Sequence, residues 1–139
     1  MYHNLYIIFI FVKMIKGKTF FKINKQYDRI EFYCTDGHIY TMKHDQDCCE
    51  SVSIDDIIGD LDDLIGTPIL KYEEVTNDGH NQSLQTDLYE RSKGSESSTW
   101  TFYHFATSKG YVTIRWYGES NGYYSESVDF IQVGVDHEW

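Results

Sequence analysis

The sequence predicts an α+β domain: mainly antiparallel β-sheet, a short acidic helix and a C-terminal three-strand meander. Three observations carry this expectation. Residues 28–34 (DRIEFYC) alternate apolar and polar side chains and lead into Asp36-Gly37, a turn pair that closes tight hairpins. Residues 99–133 form three aromatic-rich runs, separated by Ser108-Lys109-Gly110 and by Gly118-Glu119-Ser120-Asn121-Gly122. Between these regions, over residues 54–66, the apolar period changes from that of a strand to that of a helix.

Residues 19–23 have strand character. In the next strand Ile30, Phe32 and Cys34 share one face, and the return strand at 38–44 alternates in the same way. A short β-like stretch at 51–53 precedes the acidic run. There Ile54, Ile57, Ile58, Leu61, Leu64 and Ile65 fall at helical spacing, Ser53 is an N-cap candidate, and Gly66 and Pro68 end the run. The helix is expected to pack on the sheet through Ile57, Ile58, Leu61 and Leu64, with its aspartates outward. Residues 69–76 read as another strand. Residues 77–98 are polar and rich in turn formers, and are expected to form a long mobile loop with a helical turn near residues 84–89. The last third completes the meander at 99–107, 111–117 and 123–133. One sheet of about six strands would hold all of these.

The chain of 139 residues fits one domain, assigned to residues 14–139. The apolar run at 5–12 (LYIIFIFV) is far too short to span a bilayer. Residues 1–13 are read as an upstream extension, with Met14 as the natural start. Acidic residues number 22 against 12 basic ones, for a net charge of −10. Duplex nucleic acid demands a basic stripe that displaces counterions, so it is excluded as a partner. The three cysteines, Cys34, Cys48 and Cys49, make a poor disulfide framework, because adjacent cysteines rarely bridge each other. Reduced thiols in a cytoplasm are expected.

Candidate chemistry concentrates in the C-terminal runs. Arg115 lies mid-strand with Thr113 and Tyr117 on its face, where a guanidinium suits a phosphate or a planar base. The alternative is an ion pair with Glu119, Glu126 or Asp129. Trp100, Phe102, Tyr103, Tyr117, Tyr123 and Tyr124 are stacking candidates, and Asn121 either serves a tight turn with Gly122 or reads a base edge or a ribose hydroxyl. The cluster His44, Asp45, Asp47, Cys48, Cys49 and Glu50 lacks the spacing of a zinc site. Neither a nucleophile elbow nor a phosphate-cradling glycine loop is present in the sequence. No catalytic residue, metal or cofactor is therefore expected.

Four segments carry a resemblance: HDQDCCE at 44–50, SIDDIIGDLDDLIGTPIL at 53–70, TWTFYHFAT at 99–107 and RWYGESNGYYSE at 115–126. Together they resemble a group of small phage and prophage proteins, similar to the Thoeris anti-defence proteins. The resemblance implies a β-rich homo-oligomer in the cytoplasm of the infected or lysogenic bacterial host. It further implies a sponge that binds a cyclic ADP-ribose isomer and holds it without cleavage. The alternatives are a protein–protein inhibitor of a host factor and a small enzyme.

Overall fold

A computed structural model of the chain describes residues 15–134. The extension assigned to 1–13, the start at Met14 and the acidic tail lie outside the described residues. The chain is mainly antiparallel β-structure, as expected, but it forms two sheets packed face to face. β1 (Phe20–Gln26), β2 (Arg29–Cys34), β3 (Ile39–Lys43) and β8 (Asp129–Val133) form the first sheet in the order β1-β2-β3-β8. β4 (Ser51–Ile58), β5 (Lys71–Asp78), β6 (Ser97–Thr107) and β7 (Gly110–Ser120) form the second in the order β4-β7-β6-β5.

The core between the sheets follows from period-two alternation. β2 and β3 contribute Ile30, Phe32, Tyr40 and Met42; β6 and β7 contribute Tyr103, Phe105, Val112, Ile114 and Trp116. The β2–β3 hairpin forms at Asp36-Gly37, where Gly37 takes a φ of +91°. Phe130 of β8 reaches between the sheets and lies 5.4 to 6.1 Å from the rings of Phe32, Tyr103, Tyr72, Tyr40 and Phe105.

Besides the single sheet of about six strands, which is replaced by two sheets of four, three expectations change. First, the acidic helix at 54–66 is instead the end of β4, followed by a 3-10 turn at Leu61–Leu64. A β-bulge between Ile54 and Asp56 inserts one residue, so Val52, Ile54 and Ile57 all pack against the core. That bulge converts a strand's spacing of two into a spacing of three, which imitates a helix. Gly59 at φ +102° then turns the chain, and Leu64 is buried while Ile58 is 48% exposed. Second, the C-terminal run does not complete a meander. β6 and β7 pair as a hairpin, but β8 crosses to β3 of the other sheet. Burial of Phe130 explains the crossing, since only the interior offers it those rings. Third, residues 77–98 are not one loop: β5 runs to Asp78, and α1 (Thr86–Ser92) follows. Leu88 is buried, and the Ser92 hydroxyl donates to the Gly79 carbonyl at 2.6 Å.

Candidate functional site

The outer face of the second sheet collects most of the unusual chemistry. Alternation along β6 sends Trp100, Phe102 and His104 outward, and along β7 it sends Thr113, Arg115 and Tyr117 the same way. The bulge in β4 brings Asp55 onto this side, and α1 lies over the end that carries Trp100. The Ser92 hydroxyl accepts a hydrogen bond from Trp100 Nε1 at 3.1 Å.

Two guanidinium groups converge on one carboxylate here. Arg115 donates through Nε to Asp55 Oδ2 at 2.9 Å, and its Nη2 lies 2.8 Å from the same oxygen. Arg91 of α1 donates through Nη2 to Asp55 Oδ1 at 2.5 Å. Burial pushes the Asp55 carboxyl up, but the hydrogen bonds and charges of Arg91 and Arg115 outweigh it and hold the carboxyl below its ordinary value. Both cations also address the Trp100 ring, at 5.1 Å for Arg91 and 5.7 Å for Arg115. Beside them Phe102 and His104 lie nearly parallel, 6.0 Å apart with 10° between their planes, and His104 Nδ1 is 2.8 Å from the Thr113 hydroxyl. Tyr117 packs on Trp100 at 4.4 Å, and its hydroxyl donates to Glu119 at 2.7 Å. Burial, with Glu119 adding to it, pushes the Tyr117 phenol up to about 12.

The residues expected to bind a ligand therefore divide into four groups. Phe102, Arg115 and Tyr117 share the outer face and remain partly accessible. Trp100 lies on that face but is 0% exposed beneath α1, so it supports the two guanidiniums and offers no ring to a ligand. Tyr103 does not belong to the face: its neighbours in sequence point outward, so it points inward, fully buried, with its hydroxyl donating to the Val128 carbonyl at 3.4 Å. Asn121, Tyr123 and Tyr124 lie on the segment after β7. The Asn121 side chain accepts from the Tyr123 amide at 3.0 Å, which fixes the turn, while Tyr123 is 84% exposed against the edge of Tyr124.

Sequence reasoning missed Asp55 and Arg91. Asp55 read as the solvated face of a helix, and Arg91 fell in the polar stretch. The carboxylate partner of Arg115 is accordingly Asp55, with Asp56 at 3.7 Å, and not Glu119, Glu126 or Asp129.

The corner at 44–50 is structural. Glu50 is buried; it accepts from the amides of Cys48 at 2.9 Å and Asp47 at 2.7 Å, and its Oε2 lies 2.8 Å from His44 Nε2. The amide hydrogen bonds from Cys48 and Asp47, with His44 adding to them, hold the Glu50 carboxyl down at about 2. Cys48 and Cys49 are joined by a disulfide, against the expectation of free thiols; Cys34 is free and buried. No group of three metal-ligating side chains forms among the described residues. No helix among them is long and apolar enough to cross a membrane.

A family model for DUF7448, a domain of unknown function, matches residues 13–130. No curated protein and no solved structure matches the chain.

Proposed function

The chain belongs to the DUF7448 family, and from the outer face of its second sheet we propose that it binds a cyclic nucleotide immune signal. The ligand class is a cyclic ADP-ribose isomer, held without cleavage in the cytoplasm of an infected or lysogenic bacterium. The observation that carries this reading is the convergence of Arg91 and Arg115 on Asp55. A carboxylate and a phosphate present similar oxygens to a guanidinium fork. A pyrophosphate that displaces Asp55 meets two forks already aimed at one point. Phe102 and His104 offer the adjoining flat surface for a purine. Tyr117 bounds the patch, and Tyr123, Tyr124 and Asn121 lie on the segment that leaves it.

The test incubates the protein with a panel of cyclic ADP-ribose isomers and cyclic oligonucleotides, then heats it and analyses the released material. Sequestration predicts depletion of one ligand and its recovery intact after denaturation. Recovery of a product would assign an enzyme instead. A panel that passes through undepleted would overturn the reading and favour an inhibitor that works by protein contact. The net charge of −10 supports that second reading, because an acidic surface can act as a decoy for a basic host protein.

A further inference from the structure

The contacts of His44 leave its imidazole one protonation state. His44 follows β3, and its side chain is 7% exposed, against 0% for that of Glu50. Nδ1 lies 2.7 Å from the Ser127 carbonyl oxygen, and Nε2 lies 2.8 Å from Glu50 Oε2. A carbonyl oxygen only accepts, so Nδ1 must donate. Glu50 takes the amides of Asp47 and Cys48 on its two oxygens, so it is an ionised acceptor and Nε2 must donate too. An imidazole with two donors is the cation. The contact also joins distant parts of the fold. Glu126 is gripped from the second sheet, by the hydroxyls of Thr99 on β6 at 2.7 Å and Ser120 on β7 at 2.5 Å. The next residue, Ser127, is gripped from the end of β3 in the first sheet. Two consecutive residues are thus held by opposite sheets, directly ahead of β8.

We infer that His44 is held as an imidazolium and is a proton-controlled latch on residues 121–128: with both ring protons it seats this segment for the return of β8, and loss of one proton releases it. A neutral imidazole keeps one N–H and presents a lone pair at the other nitrogen. The carboxylate holds its proton on Nε2 more strongly than a carbonyl holds one on Nδ1. The proton therefore leaves Nδ1, and the bond to Ser127 is the one that breaks. The other charged groups around the ring supply no substitute. Lys43 is paired with Asp45 at 3.0 Å and stands opposite Asp129 in the β3–β8 ladder. Asp47 and Glu126 are acidic, and Glu126 is already held by its two hydroxyls. Among the described residues only Glu50 lies within ion-pair distance of His44. Because both contacts exist only for the protonated ring, their contribution is complete on the acid side and falls as pH rises. The acid limit is Glu50 itself, whose carboxyl is held down at about 2. The inference does not rest on the nucleotide reading, although Asn121, Tyr123 and Tyr124 lie on the latched segment.

The experiment titrates isotope-labelled protein from pH 5 to pH 9 by nuclear magnetic resonance. Imidazole nitrogen shifts read the protonation of each ring nitrogen of His44. Amide exchange, corrected for its intrinsic pH dependence, reads residues 121–133. At pH 5 both ring nitrogens should carry protons. As pH rises, Nδ1 should lose its proton, and exchange in 121–133 should accelerate about tenfold at the same midpoint, the scale of one hydrogen bond to a charged group. Exchange in β6 should not follow. His44→Ala should show the fast exchange at every pH. His80→Gln, which removes a ring that meets the Ser95 carbonyl at 2.8 Å, should behave as the wild type. A neutral His44 ring at pH 5 would overturn the inference. So would a ring that keeps both protons to pH 9, proton loss without faster exchange, or an unchanged pH dependence in His44→Ala. A thermal melt checks folding, and if His44→Ala does not fold, the coincidence of the two midpoints in the wild type decides alone.

Discussion

Asp55 holds both arginines in place, and this gives the candidate site a signature that a purely structural ion pair lacks. If the carboxylate occupies the place of a phosphate, Arg115→Ala weakens nucleotide binding by about 1.5–3 kcal/mol. Asp55→Asn, which frees both forks of charge competition, strengthens it. Calorimetry on both folded variants checks this, and a loss of affinity in Asp55→Asn equal to that in Arg115→Ala would assign the trio to structure alone. Two other carboxylates predict opposite responses to pH. The folded pKa of Glu50 is depressed from its ordinary 4.5 to about 2. Its contribution is complete above 4.5 and is lost as pH falls towards 2. Glu50→Gln should therefore lower the melting temperature at pH 6 and lose that difference by pH 2. Glu74 is shifted upward. Its contribution is complete below the ordinary value and is lost as pH rises through the folded value, so Glu74→Gln should raise the melting temperature at pH 7 and have no effect near pH 3. Melting curves across that range decide both signs.

At the scale of the element, the hairpins were legible and the bulged strand was not. The β2–β3 and β6–β7 turns are written locally, in a glycine-bearing turn between two alternating runs. β4 was misread because one inserted residue at Asp55 placed Ile54 and Ile57 on the same side of a strand. The Arg91–Asp55 pair spans 36 residues, and neither the alternation of β4 nor the composition of the polar stretch signals it. Arg115, Phe102 and Tyr117 were legible as one face because β6 and β7 alternate without interruption. Tyr103 was counted as a stacking candidate alongside Phe102, but adjacent strand residues cannot share a side. The element most dependent on one contact is α1, seven residues long and seated on Trp100. Trp100→Ala should cost about 3–5 kcal/mol, and Ser92→Ala about 1–3 kcal/mol, because it strands the indole N–H. Denaturant titration measures both. A cost below 1 kcal/mol for Trp100→Ala would mean that α1 is held by something other than that ring.

The whole molecule presents a second sheet face, that of the first sheet, with a different character. Phe21 lies 6.2 Å from Tyr33, and the pairing Tyr33–Ile39–Val133 crosses β2, β3 and β8 in one row. Phe21, Ile131 and Val133 are exposed at 57%, 37% and 42%. The homo-oligomer expected from the sequence would use this face, which leaves the arginine face free. Light scattering at micromolar concentration should find a multiple of the chain mass. Ile131→Lys with Val133→Lys should return it to one chain, and a wild type already monomeric would remove the expectation.

The crossing of β8 also sets an order of events during synthesis. β4 to β7 are contiguous in the chain, so the second sheet has all its strands once Ser120 has emerged. The first sheet has only three by then. Its fourth strand is made after all seven others, and with it comes Phe130, the ring that joins the two layers. A nascent chain therefore carries the inner face of a finished sheet, and the free edge of β3, uncovered until β8 arrives. A stop codon ahead of Asp129 removes the closing strand and leaves both surfaces open to aggregation.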